Sequence, residues 1–335
     1  MPYEDVHGFL VQQKNLKRFW NLQNVVLVAM KSQIRFFFKK KVYERLMQLG
    51  ICKMSEMIKY EPTTIYIKPS KGLAALNLRD MWIYRELIYF MIWREIKVRY
   101  KQTLLGAAWA IIQPIMNMIV FSILFGGIAK LKTDGNIPYP IFTFAGLLPW
   151  GLFVAALNQA SRSLTSNQNM VSKIYFPRLV LPLASVLSGL VDFVIAFVIL
   201  IGMMVYYRVA PTANILWALP AFLLLAIVTA LGVALWLSAI NVQYRDVNYA
   251  LPFLTQFWFF ISPVAYSSNL ISAKWRLVYS LNPMAGVVNG FRWALLGVGN
   301  GPDAGLWISV VIALIILVSG LYYFRNMEKT FADTI

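Results

Sequence analysis

The chain has 335 residues, 59% of them hydrophobic and only 13% charged, and a net charge of +17. Soluble domains carry roughly 25% charged residues, so this balance excludes an ordinary soluble fold and describes a multi-span membrane protein. A single cysteine, Cys52, excludes a disulfide framework or a cysteine metal cluster, and a single histidine, His7, leaves almost no material for histidine catalysis or zinc binding.

The positive charge is unevenly spread. Of the 31 Lys and Arg, 19 lie in residues 1–101, and the others sit in short loops between apolar runs. Basic flanks beside membrane spans set topology and touch anionic lipid, which accounts for the charge without nucleic acid. Met1–Leu10 has no apolar core long enough for a signal peptide. Residues 1–66 read as a cytoplasmic extension of unknown role. Within it Ile34–Lys41 is basic and aromatic, suited to anionic lipid, and Val25–Met30 is too short to span.

Residues 67–102 form a distinct region. Met81–Tyr100 mixes Arg85, Glu86, Arg94, Glu95, Lys97 and Arg99 with Trp82, Tyr84, Tyr89, Phe90, Trp93 and Tyr100. Aromatic and basic residues together suit the headgroup layer, so an interfacial helix is expected on the cytoplasmic leaflet; the alternative is a buried cytoplasmic helix. Tyr84, Leu87, Ile88, Met91 and Val98 share a face on which Glu95 intrudes. Glu95 and Arg99 are ordered for an i,i+4 pair. At Lys101 the pattern switches: Gln102 to Ala129 carries no charge.

From there to residue 325 the chain predicts a six-helix permease domain, followed by a cytoplasmic tail at 326–335. The apolar runs are Leu104–Ile128, Ile141–Ala160, Leu179–Tyr207, Ile215–Ile240, Leu251–Tyr266 and Leu306–Phe324. Each is judged against the 20 or so residues a helix needs to cross a bilayer. The fifth is short, and Pro252 and Pro263 predict a broken or tilted helix. With both termini inside, the inner segments hold 25 Lys and Arg and the outer ones 6, as positive-inside topology requires. Pro283–Gly299 is apolar except for Arg292. It reads either as outer re-entrant helices between spans five and six or as a seventh crossing, with re-entrant helices preferred. The expected fold is thus all-α and integral to the membrane.

Asp192 alone interrupts an apolar run with a charge. A charge at a helix centre costs on the order of 3 kcal/mol on insertion scales, so it must face protein or water. It either contacts a polar substrate or relays an ion, or it hydrogen-bonds a neighbouring span; the second reading is preferred. Between spans two and three, Ser161–Arg178 has no acid and ends beside Pro177. It reads as an ordinary loop or as a short capped helix that docks on another protein.

No Gly-x-x-x-x-Gly-Lys-Ser/Thr loop, Gly-x-Ser-x-Gly elbow or metal-spaced acid and histidine cluster occurs. No cofactor, metal or catalytic residue is therefore expected in this chain. Trp109, Trp150, Phe153, Trp258 and Phe259 are candidates for a pathway that handles sugars, whose C–H faces stack on rings; interfacial and lipid-facing packing is the competing explanation.

Several segments in order carry a resemblance. They include Ile67–Gly72, Tyr84–Leu87, Trp93–Pro114, Pro138-Tyr-Pro140, Ala145–Trp150, Lys173–Arg178, Gly189–Phe193, Asn241–Val247, Ser262-Pro-Val264, Asn282-Pro-Met284 and Gly290–Trp293. Over about 64–335 the chain resembles the transmembrane subunit of type-2 ABC exporters of polysaccharide, O-antigen or teichoic-acid-like. The resemblance implies that 165–176, with Asn167, Asn169, Lys173, Tyr175 and Arg178, is a coupling helix for an ATPase. It implies that Arg245 and Asp246 form a second contact and that 282–299 closes the outer mouth. It further implies a homodimer in the bacterial inner membrane, two ABC ATPase subunits that bind ATP and Mg, and a lipid-linked glycan as cargo. Alternatives are a same-type exporter of a drug or lipid, an ion-coupled carrier, or a membrane-bound glycan enzyme.

Overall fold

A computed structural model describes residues 78–101, 108–131, 133–299 and 301–331. The chain divides into two units, Met1–Lys71 and Gly72–Ile335, and every described residue belongs to the second. The expectations for residues 1–66, for the first residues of span one just past Lys101, and for the end of the tail lie outside the described residues.

Among the described residues all regular structure is helical. A short α1 (Leu78–Ile83) leads into α2 (Arg85–Lys101), which covers the segment read from sequence as an interfacial helix. Then come α3 (Ala108–Phe121, extended by a π turn over Ser122–Ile128), α4 (Tyr139–Ser166), α5 (Gln168–Lys173), α6 (Val180–Tyr206) and α7 (Ile215–Gln243). The chain continues through α8 (Val247–Ile261), α9 (Arg276–Ser280), α10 (Pro283–Leu296) and α11 (Ala304–Glu328).

Among the described residues five helices are long and apolar enough to cross a membrane: α3 with its π turn, α4, α6, α7 and α11. The fifth predicted span differs. Its helix α8 has 15 residues, about 22 Å at 1.5 Å per residue, short of the roughly 30 Å hydrocarbon core. It stops at Ser262, where the backbone turns extended, and Pro263 follows. α9 and α10 are shorter still.

α4 is the central helix: Ile141, Phe142, Phe144, Ala145, Phe153, Ala156 and Leu157 are buried against α6, α7 and α10. The opposite extreme is α3, none of whose residues is buried. Apolar side chains gain little by leaving lipid for protein, so close packing must hold such helices together. The tightest example joins α7 and α11. A Cβ on Gly232 would meet the backbone of Leu317 at 2.8 Å, and one on Gly320 would strike the Gly232 carbonyl. Beside this crossing Trp236 stacks on Tyr323 at 4.2 Å.

The helices alternate in direction. The end of α4, α5, the start of α6, the α7–α8 turn and the end of α11 therefore gather at one end of the bundle. The 131–138 connection and the 262–303 region lie at the other.

Candidate functional site

The first end is built around α2. Met91 is fully buried, while Trp82, Ile83, Tyr89, Trp93 and Val98 are exposed. Arg85 and Lys97 lie over the rings of Trp82 and Trp93, at 5.5 and 5.2 Å, and Glu86 is exposed. One face of α2 thus meets the bundle and the other carries rings and cations. Val98, expected to share a face with Met91, is half exposed at 52% where Met91 is fully buried.

Glu95 does not intrude on an apolar surface. It accepts hydrogen bonds from Ser185 (2.7 Å) and Ser188 (3.1 Å) of α6. Burial pushes its carboxyl above the usual range, and the two serine bonds and the neighbouring Arg94 and Arg99 oppose that shift. Arg99, one turn on, pairs with Asp192 and donates to Gln159 of α4; Ser188 lies 3.3 Å away. Tyr100 donates its hydroxyl to Asp192 as well. Burial first, and then that hydrogen bond, push the Tyr100 phenol up to about 12. Asp192 is therefore bonded within the protein as preferred from sequence, but by Arg99 and Tyr100 of α2 instead of a neighbouring span.

The signal for this network was present and unread. Ser185, Ser188 and Asp192 stand at i, i+3 and i+7, one stripe of an otherwise apolar helix. Gln159 had no such signal, being one polar residue near the end of a long helix.

Arg94 points to the loop. It donates to Asn167 Oδ1 at 2.8 Å, and Asn167 also donates to the Ser163 carbonyl at 2.7 Å. Burial pulls the Arg94 guanidinium below its ordinary value, and Glu95 opposes this. Asn167 is the junction between α4 and α5, so α2 holds the base of the short helix directly. Val171 and Phe176 are buried at 3% and 5% and anchor α5 to the bundle. Asn169, Lys173 and Tyr175 are exposed, Tyr175 at 73%. Arg178 behaves differently. It donates to the Glu328 carbonyl at 2.5 Å, its backbone N–H donates to the Glu328 carboxylate at 3.2 Å, and its guanidinium lies over Phe331 at 5.8 Å. It clamps the end of α11 instead of facing outward.

Arg245 and Asp246 are exposed in the α7–α8 turn. That turn is tied to α4 by two asparagines that sequence reasoning passed over. Buried Asn241 donates to the Ser161 carbonyl (2.8 Å), and Asn248 donates to Asn241 (2.9 Å) and accepts from Arg162 (3.0 Å).

Of the five pathway candidates, four form one cluster. Trp150 meets Phe153 at 5.5 Å and Phe259 at 5.6 Å, and Phe153 meets Trp258 at 5.1 Å, mostly edge to face. Trp150, Phe153 and Phe259 are buried in the chain itself, and Trp109 stands apart at 53% exposure. The exposed rings of α8 are Tyr249, Phe253, Phe257 and Phe260.

At the opposite end Arg292 is 3% exposed. It donates to the carbonyls of Phe142, Pro263, Val264 and Tyr266 at 2.6–3.2 Å and lies 3.7 Å from the Phe142 ring centre. This cation fastens the turn after α8 to α4 and α10.

An apolar helical bundle with one end of tethered polar loops is the build of a membrane transport subunit. The sequence profile of the ABC-2 type transporter matches residues 86–296, and the chain belongs to that family. It is 29% identical to the O-antigen export system permease protein RfbA of Myxococcus xanthus over 263 residues, 77% of this chain and 98% of that protein. A protein of the same name from Klebsiella pneumoniae is 26% identical over 74% of this chain and 94% of its own length. The polysialic acid transport protein KpsM of Escherichia coli is 25% identical over 70% and 91% respectively.

Proposed function

We propose that this chain is the permease subunit of an ATP-driven exporter that moves lipid-linked polysaccharide, O-antigen-like or polyol phosphate, across the bacterial inner membrane. The single observation that carries the mechanism is the bond from Arg94 to Asn167. Around it, a short exposed helix meets the partner, its base is held by the interfacial helix, and that helix is bonded to α6 and α4. A push on α5 therefore reaches the bundle through polar contacts already made.

Two ABC ATPase subunits supply that push, binding ATP and Mg themselves, and two copies of the permease form the path between them. Asn169, Lys173 and Tyr175 with Arg245 and Asp246 form the docking surface. Arg178 keeps the base of that surface in place through Glu328. The termini face the cytoplasm, α8 with its following turn completes six crossings, and α9 and α10 are the outer re-entrant pair. The cargo class rests on the names of the relatives; a drug or lipid cargo on the same build is the alternative.

The test is co-expression with a cognate ATPase in a strain that makes the glycan. Glycan should reach the surface only with both subunits, and should accumulate inside when the permease gene is lost. Export that continues without the ATPase would sink the reading. In a Cys52→Ser background, Lys274→Cys should be labelled from outside; labelling only from inside would overturn the orientation.

A further inference from the structure

A cavity of about 100 Å³ opens at the end of the bundle opposite the docking loops, between α7, α9, α10 and α11. A buried water needs roughly 10–15 Å³ of such volume, so the space holds several waters, or one ring bearing hydroxyls. Its floor is the buried ring of Phe222, which lies flush on α10 because position 290 is glycine; a Cβ there would collide with the ring. One wall is Trp293, whose outer contact is Trp217 at 5.6 Å.

The polar groups are what a packing void would lack. Asn289 stands on the apolar helix α10, half-buried, and its amide has no hydrogen-bond partner among the described residues. Such an amide is costly to desolvate unless something bonds it. Arg276 also lines the space, and its guanidinium has no hydrogen-bond partner among the described residues. Asp134 and Asp303 supply acceptors; Asp134 already binds Ser267 and Asn269, and Asp303 caps α11 through the Leu306 N–H at 3.0 Å. Arg292 is spent on carbonyls and offers the cavity nothing.

We infer that this cavity is a binding site for one uncharged pyranose unit. The aromatic floor and wall match the C–H faces of a sugar ring. The amide and guanidinium donate to ring and hydroxyl oxygens, and the two carboxylates accept from hydroxyls. Among the described residues that line the space, two acids, Asp134 and Asp303, balance two arginines, Arg276 and Arg292, and leave no surplus positive charge, so a phosphate is disfavoured. The site lies on the side to which the proposed export delivers its cargo, and naming a sugar of the exported chain as the ligand rests on that reading.

The experiment uses the full chain in lipid nanodiscs and saturation-transfer NMR. The probes are the methyl glycosides of mannose, galactose and N-acetylglucosamine, a lipid-free oligosaccharide cut from the host glycan, and glycerol phosphate. At least one methyl glycoside should receive saturation. The oligosaccharide should compete for it if the exported chain is the source of the ligand, and failure to compete overturns that assignment. Asn289→Leu, which fills the cavity, should abolish the signal. Arg276→Gln, an exposed change with little bearing on folding, should weaken binding about tenfold, as loss of a charged hydrogen bond does. No response from any glycoside, no effect of either variant, or preferential binding of glycerol phosphate would each overturn the site. Export assayed alongside separates the two ideas. ATPase-dependent export without glycoside binding removes only the pocket, and glycoside binding with ATPase-independent export removes only the transport mechanism.

Discussion

Arg99 of α2 and Asp192 of α6, 93 residues apart, form an ion pair, and Tyr100 donates a second hydrogen bond to the same carboxylate. The pair explains how an acid is tolerated in an otherwise apolar helix. Its side chains are 27% and 28% exposed, so solvent screening reduces its worth below that of a fully buried pair. Asp192→Ala should cost about 1–2 kcal/mol in thermal stability. Asp192→Asn, which still accepts from Tyr100 and Arg99, should lose less and largely keep export. Abolished export with intact folding in Asp192→Asn would instead indicate an ion-coupled carrier.

Glu95 should make stability depend on pH. Its folded value is raised by burial above the ordinary 4.5. Below 4.5 the group is protonated in both folded and unfolded states, and its stabilising contribution is complete. As pH rises through the folded value that contribution is lost, because the buried carboxyl must ionise. Glu95→Gln should therefore match the parent in melting temperature at acid pH and exceed it near neutrality. An unchanged difference across that range would show that the carboxyl is not desolvated as described.

Arg94 and Asn167 should act as one unit. Arg94→Ala and Asn167→Ala should each leave ATPase binding and hydrolysis in place while lowering export several-fold, and the double variant should be no worse than either single one. Additive losses would mean that the two residues work through separate contacts.

Lys173 and Arg178, five residues apart, should fail differently. Lys173→Glu should weaken the complex with the ATPase about tenfold, near 1.4 kcal/mol, with the melting temperature of the isolated permease unchanged. Arg178→Glu should lower that melting temperature, because it sets a carboxylate against Glu328. Equal effects of the two on both measurements would refute the distinction.

Arg292 should be among the most sensitive positions. Arg292→Met strands the carbonyls of Pro263, Val264 and Tyr266, each deprived acceptor costing roughly 1–3 kcal/mol, so a loss of about 3–5 kcal/mol is expected by thermal unfolding in detergent. Arg292→Lys should recover only part, since a lysine has three donors and no planar fork.

Much of the bundle was legible along the chain. Long apolar runs located α3, α4, α6, α7 and α11, because crossing hydrocarbon demands a long apolar stretch whatever its partners. The acid-free segment before Pro177 left an ordinary loop and a short capped helix both open; α5 forms there, but without a side-chain cap, because Asn167 at its start bonds Arg94 and the Ser163 carbonyl instead. The short span five was legible only in part: Pro263 marked a break, but the length of α8 and the turn held by Arg292 depend on residues from α4 and α10.

Tertiary structure alone decided the polar pairings. Asp192 with Arg99, Glu95 with Ser185 and Ser188, Arg94 with Asn167 and Arg178 with Glu328 join residues 73 to 150 positions apart. Hydropathy reads only which groups a segment carries. Which cation meets which acid is set by how helices of similar composition pack, and in an apolar bundle that packing turns on small contacts such as Gly232 against Gly320. The same limit hid the cavity beside Asn289, whose walls come from four helices and whose floor exists because position 290 has no side chain.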